Sequence, residues 1–147
     1  MITKDRVEHS VWVAKRCREI ARERGLEGSM KEEMFLLGWL HDTGYEFTTA
    51  EYHHRTGGEM ARRTGFRYWR EIRVHGFPKG HPQRQILGRD YCSEALDILN
   101  EADLTTLPDG RSCTARERLD ELKTRGYAED SEKYRNAEAL AAELGLN

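Results

Sequence analysis

Apolar residues recur every three or four positions along almost the whole chain, a period that fits helices and leaves little room for anything else. No run of alternating apolar and polar β-branched residues is long enough for a strand, so the expected class is all-α. Residues 3–24 place Val7, Val11, Ala14, Cys17 and Ala21 on one broad face, and Gly25 supplies a stop. Ser29 and Glu32 have the spacing of a capping box, which opens a second helix through Met34, Leu37 and Leu40 to His41. Gly44 marks a turn and a loop runs through Glu51. Residues 53–64 and 66–75 read as two short helices, and the proline- and glycine-rich stretch 76–85 as a loop. Another helix runs from Tyr91 or Ser93 to Leu104, followed by a turn at Leu107–Gly110. Thr114 and Glu117 form a second capping box for a helix to Arg125, and a last amphipathic helix spans 131–144. About seven helices with short loops predict a single-domain bundle over 1–147, with its core in 5–125 and the C-terminal helix packed back on it or used in a dimer.

At 147 residues the chain suits one ordinary domain. The longest apolar run, Met34–Leu40, falls far short of the ~20 residues a membrane helix needs, and the first ten residues lack the pattern of a signal peptide. A cytoplasmic protein with no membrane partner is expected. Three cysteines far apart in sequence, Cys17, Cys92 and Cys113, suggest neither a disulfide framework nor a thiolate metal pair, and are expected as reduced, mostly buried thiols. The net charge of -2 argues against polymeric nucleic acid as a ligand. It is unevenly spread, with 9 bases and 2 acids in 55–89 against 7 bases and 14 acids in 90–147. The basic segment suits either a solvated helix face or a small anion.

Several apolar stripes end on polar residues. Met30, Met34, Leu37 and His41 lie on one helical line, as do Tyr68, Ile72 and His75, and Cys92, Leu96, Leu99 and Asp103. His9 shares a line with Ile2, Val13 and Ile20. A buried carboxylate costs several kcal/mol unless a cation pairs with it. Three imidazoles and a carboxylate aimed inward from four helices are jointly explained by a divalent metal. The adjacent pair His41-Asp42 joins the set because a fraying helix end can turn neighbouring side chains to one point.

The ordered set His9, His41-Asp42, His75 and Asp103 is similar to that of the His-Asp (HD) domain superfamily of metal-dependent phosphohydrolases. The resemblance covers about residues 5–125 and rests on HSVWVAKRC (9–17), LLGWLHDTGYE (36–46), HRTGGEMAR (54–62), IRVHG (72–76) and ILNEADLTTLPDG (98–110). It implies metal ligation by His9, His41, Asp42 and Asp103. For a second ion it implies His54 and His75, with His53 or His81 as an extra ligand and Asp42 bridging. Where several branches carry an acid three positions after the pair's Asp, Tyr45 stands here and Glu46 follows, so Asp42 and Glu46 are the expected catalytic carboxylates.

A divalent ion acidifies water and neutralises phosphate oxygens, so the implied activity is hydrolysis of a phosphate ester in a small molecule, with a nucleotide favoured. One or two ions are expected, iron or manganese first, with zinc, nickel and magnesium also compatible. Arg55 and Lys79, close in sequence to the proposed ligands, are the expected phosphate-binding residues. The alternative is a sensor or scaffold that binds metal or nucleotide without turnover. Monomer and homodimer both remain open.

Overall fold

A computed structural model describes residues 2–49 and 52–146. The expected loop through Glu51 therefore runs partly outside the described residues. Among them the secondary structure is seven α-helices: α1 Lys4–Glu23, α2 Ser29–Leu40, α3 His53–Arg63, α4 Trp69–Val74, α5 Glu94–Leu104, α6 Ala115–Thr124 and α7 Glu132–Glu143. A short 3-10 helix, Thr43–Glu46, stands where the sequence suggested only a turn. Between described residues the one isolated β-bridge joins Thr106 to Ser112. The all-α expectation holds, and no described helix is long and apolar enough to cross a membrane.

Helix starts follow local chemistry. The Thr3, Ser93 and Ser131 hydroxyls accept from the backbone N–H groups of Arg6, Leu96 and Tyr134, and Thr114 with Glu117 makes a full capping box. The expected Ser29–Glu32 box does not form. The residue before α2 is Gly28 with φ 65°, so Ser29 is already inside the helix and cannot act as its cap.

The main core joins Val13, Cys17 and Ile20 of α1 to Met34 and Leu37 of α2 and to Ile98, Leu99 and Ala102 of α5, with Ile72 of α4 beneath. The buried stripe of α1 is turned away from Val7, which is 41% exposed, because α2 seats on Ala14 and Cys17. A Cβ at Gly38 would lie 2.7 Å from Ala14 Cα, so only glycine allows this approach. Of the three cysteines only Cys17 is buried, and Cys92, which precedes α5, is exposed, contrary to expectation.

α6 and α7 form separate apolar clusters. Leu119 and Leu122 meet Tyr134, while Leu140 and Ala141 pack on Leu104 at the end of α5. α7 is also tied to the loop after α4. Fully buried Arg84 donates to Phe77 O at 2.8 Å and to Glu143 Oε2 at 3.2 Å, and His81 Nε2 lies 3.0 Å from Glu132 Oε1. These ties hold α7 across a cleft whose floor is formed by helix ends.

Candidate metal centre

Nearly every residue of the expected ligand set sits at the end of a helix. His41 follows the last residue of α2, Asp42 precedes the 3-10 helix, His53 opens α3, His75 follows α4, and Asp103 lies in the last turn of α5. Helix C-termini leave backbone carbonyls without intrahelical partners, and two of these orient the rings. His41 Nδ1 donates to Gly38 O at 2.6 Å and His75 Nδ1 to Ile72 O at 2.7 Å. His9, in the body of α1, donates from Nδ1 to Leu107 O at 3.2 Å. A carbonyl only accepts, so Nδ1 carries the proton in all three rings, and the Nε2 of each neutral ring is a bare lone pair.

Those lone pairs face carboxylate oxygens. His9 Nε2 lies 2.9 Å from Asp103 Oδ1, and His75 Nε2 lies 3.5 Å from Asp42 Oδ1. His41 Nε2 is buried 3.3 Å from Asp42 Oδ2 and 3.6 Å from Asp103 Oδ1, yet makes a hydrogen bond to neither. A ring nitrogen and carboxylate oxygens at these distances need a cation between them, either a second ring proton or a metal ion, and a divalent ion suits this donor set of imidazole nitrogen and carboxylate oxygen. Buried His41 Nε2 is the atom on which the fit can be judged, and it fits.

Asp42 faces two ways. Its Oδ2 meets His41, whereas its Oδ1 meets His75 and His53, the latter at 3.3 Å. Ligand atoms within 4.8 Å of one another fall into three sets: His9, His41 and Asp42; His41, His75 and Asp103; and His53, His54 and His75. The arrangement offers two adjacent cation positions with Asp42 between them. Gly44 and Gly57 make this possible. A Cβ on Gly44 would collide with His53 O, and one on Gly57 would lie 3.2 Å from Gly44 N, so the backbones touch and draw the start of α3 onto Asp42. Gly44 thus serves close approach, not the backbone slack a turn implies.

The electrostatics show how strongly the two carboxylates call for a cation. Burial opposes charge on His41, but Asp42 and Asp103 outweigh it and hold its pKa well above the usual histidine value, so without a metal ion a proton on Nε2 fills that role, and a metal ion would displace it. Burial likewise opposes ionised Asp42 and Asp103, yet the imidazoles around them keep both well below the usual carboxylate range. Burial pushes the pKa of His54 and His75 down, reinforced at His54 by His75 and His53, leaving neutral rings with ligating lone pairs. Tyr45 stacks on His53 at 4.0 Å between ring centroids and lies under the Arg6 guanidinium. Burial and the Asp42 charge push its phenol up to about 12, so it remains a hydrogen-bond donor at neutral pH.

The centre opens into a cleft of about 1440 Å³. Arg55 lines it, as expected. Lys79 does not: it is exposed, and its backbone N–H donates to Glu143 Oε1 at 2.8 Å. Glu46 is also off the cleft wall, exposed, with Oε2 accepting from Ile2 N at 2.8 Å. Of the two candidate extra histidines, His53 joins the ligand cluster, while His81 lines the cleft stacked on Phe77 and held by Glu132. Five cations on the cleft wall escaped the sequence reading: Arg6 on α1, Arg73 on α4, Arg118 and Arg125 at α6, and Lys133 on α7. Arg118 and Arg125 both pair with Glu121, whereas Lys133 has no carboxylate partner among the described residues. Desolvation lowers the Lys133 pKa, opposed by the charge of Asp103 and, more weakly, of Asp42, with Arg118 acting in the lowering direction. Lys133 and Asn136 flank the apolar stripe of α7 at helical spacing, the one signal from which they could have been found.

The HD domain family model matches residues 6–106, which takes in every residue of the ligand cluster and stops before α6. No curated protein and no solved structure matches the chain significantly. The match spans more than half of the chain, and its histidines and aspartates converge as a divalent-metal site requires; the chain belongs to the HD domain family.

Proposed function

We propose that this protein is a metal-dependent phosphohydrolase that cleaves a phosphate ester of a small molecule, a nucleotide being the favoured class. The observation that carries the reading is the convergence of His9, His41 and His75, each with Nδ1 tied to a backbone carbonyl and Nε2 facing Asp42 or Asp103, beneath a cationic cleft. His9, His41, Asp42 and Asp103 would hold one divalent ion, and His53, His54 and His75 a second, with Asp42 shared. Iron or manganese is the favoured metal, and zinc, nickel and magnesium belong in the same screen. An ion held there supplies Lewis acidity towards a phosphoryl oxygen and acidifies water.

The chain's own residues do the rest. The carbonyls of Leu107, Gly38 and Ile72 lock the ring tautomers, so the ligands are set before any ion arrives. Lys133 offers an unpaired ammonium to the phosphate charge, and Arg55 a guanidinium beside His54. The Tyr45 hydroxyl, rather than Glu46, is the proton-bearing group close to Asp42. On the facing wall Leu122, Tyr127 and Leu140 suit the apolar part of an organic phosphate.

The test is phosphate release from mononucleotides, dinucleotides and cyclic nucleotides with each metal in turn. Release that Asp42→Ala abolishes supports the proposal. Tight nucleotide binding with no release under any metal would favour a sensor instead.

A further inference from the structure

Outside α3 and α4 lies a second cleft, of about 420 Å³, which shares a wall with the first: Arg55 and Arg73 line both. Arg62, Arg63 and Trp69 continue it outward. Its one carboxylate, Glu59, lies 4.0 Å from Arg62 and 3.3 Å from Arg63, which leaves Arg55 and Arg73 without an acidic partner among the described residues. The two guanidiniums share the wall between the clefts. Like charges held together in a partly enclosed wall are unfavourable until an anion lies between them.

The backbone is shaped to keep them there. A Cβ on Gly58 would lie 2.8 Å from Arg73 Cβ, so glycine is what lets Arg73 seat against α3. In sequence Arg55 follows His54 and Arg73 precedes His75 by two positions, so the shared wall rises directly from the second group of metal ligands. Ile86 and Leu87, exposed apolar side chains, complete its lining.

We infer that this second cleft is a subsite for a second phosphate, held by Arg73 with Arg55, and that the substrate class is small molecules bearing two phosphate groups at separate positions. The inference rests on the phosphohydrolase reading for the phosphate that is cleaved, and adds a site for one that is not. Phosphates on adjacent walls would be bound together, so the second contact acts at high effective concentration.

Calorimetric titration of the manganese-loaded chain with propylphosphonate and 1,3-propanediphosphonate, whose C–P bonds resist hydrolysis, tests it. The expected result is binding of the diphosphonate about tenfold tighter or more, as one further charge-assisted contact gives. Arg73→Gln should cut that margin to about twofold, with metal content unchanged. Arg62→Gln, on the exposed outer rim, should reduce it by about twofold and is safe for folding should Arg73→Gln not be. No preference for the diphosphonate in the wild type, or a margin untouched by both variants, overturns the subsite while leaving the metal reading intact. A chain that holds neither metal nor propylphosphonate overturns both.

Discussion

The two sides of the cleft are built on opposite plans. The side formed by α1–α5 converges lone pairs, with imidazole nitrogens and carboxylate oxygens packed at helix ends and fixed by backbone carbonyls. The facing side, α6 and α7, lies outside the matched family region, has its own small apolar clusters, and contributes cations to the cleft wall. The contrast separates two tasks. A cluster of acceptors must be rigid before it binds an ion, and helix ends inside a packed core provide that. Recognition of a substrate anion needs only long cationic side chains on a neighbouring element, so it can sit on a pair of helices with a separate core. On the proposed reading the chemistry falls to the matched fold, and part of the anion recognition to the pair of helices that follows it.

The sharpest way to break this division is to remove the group both cation positions share. Asp42→Ala should lower bound metal and phosphate release by at least about a hundredfold, while Lys133→Met should leave metal content as it is. Next in size is Gly44→Ala, which drives a methyl into His53 O and forces the start of α3 off Asp42. A loss of about 1–3 kcal/mol in chemical unfolding is expected, accompanied by metal loss, because the same contact supports both. Lys133→Met should raise KM about tenfold with kcat nearly unchanged, and wild-type KM in that variant would remove α7 from recognition. Smallest of all, Glu46→Gln and Lys79→Gln should alter kcat/KM by less than about twofold, since neither side chain reaches the cleft; a large loss in either would redraw the site.

How much could be read beforehand divides along the same line. The helices and most of their ends were legible because capping residues and glycine stops act locally, as at Thr114 with Glu117. His9, His41, Asp42, His54, His75 and Asp103 were legible because an imidazole or carboxylate that continues an apolar stripe is costly without a partner, and because their order resembles a known set. The 3-10 helix at Thr43–Glu46 and the contact of Gly44 with His53 were not, since both depend on α3 packing across the chain. Lys133 was hidden by segment arithmetic. The 90–147 stretch is strongly acidic in total, yet folding puts one of its few lysines on the cleft wall, while Lys79 of the basic stretch stays off it. Charge summed along a sequence says nothing about which side chains face one another in space.

Elemental analysis of the purified full chain, before and after dialysis with manganese or iron, tests the convergence of lone pairs most directly. The arrangement predicts one or two divalent ions per folded chain, retained by Lys133→Met and lost from Asp42→Ala. A folded wild-type chain that holds no ion after either dialysis would contradict it.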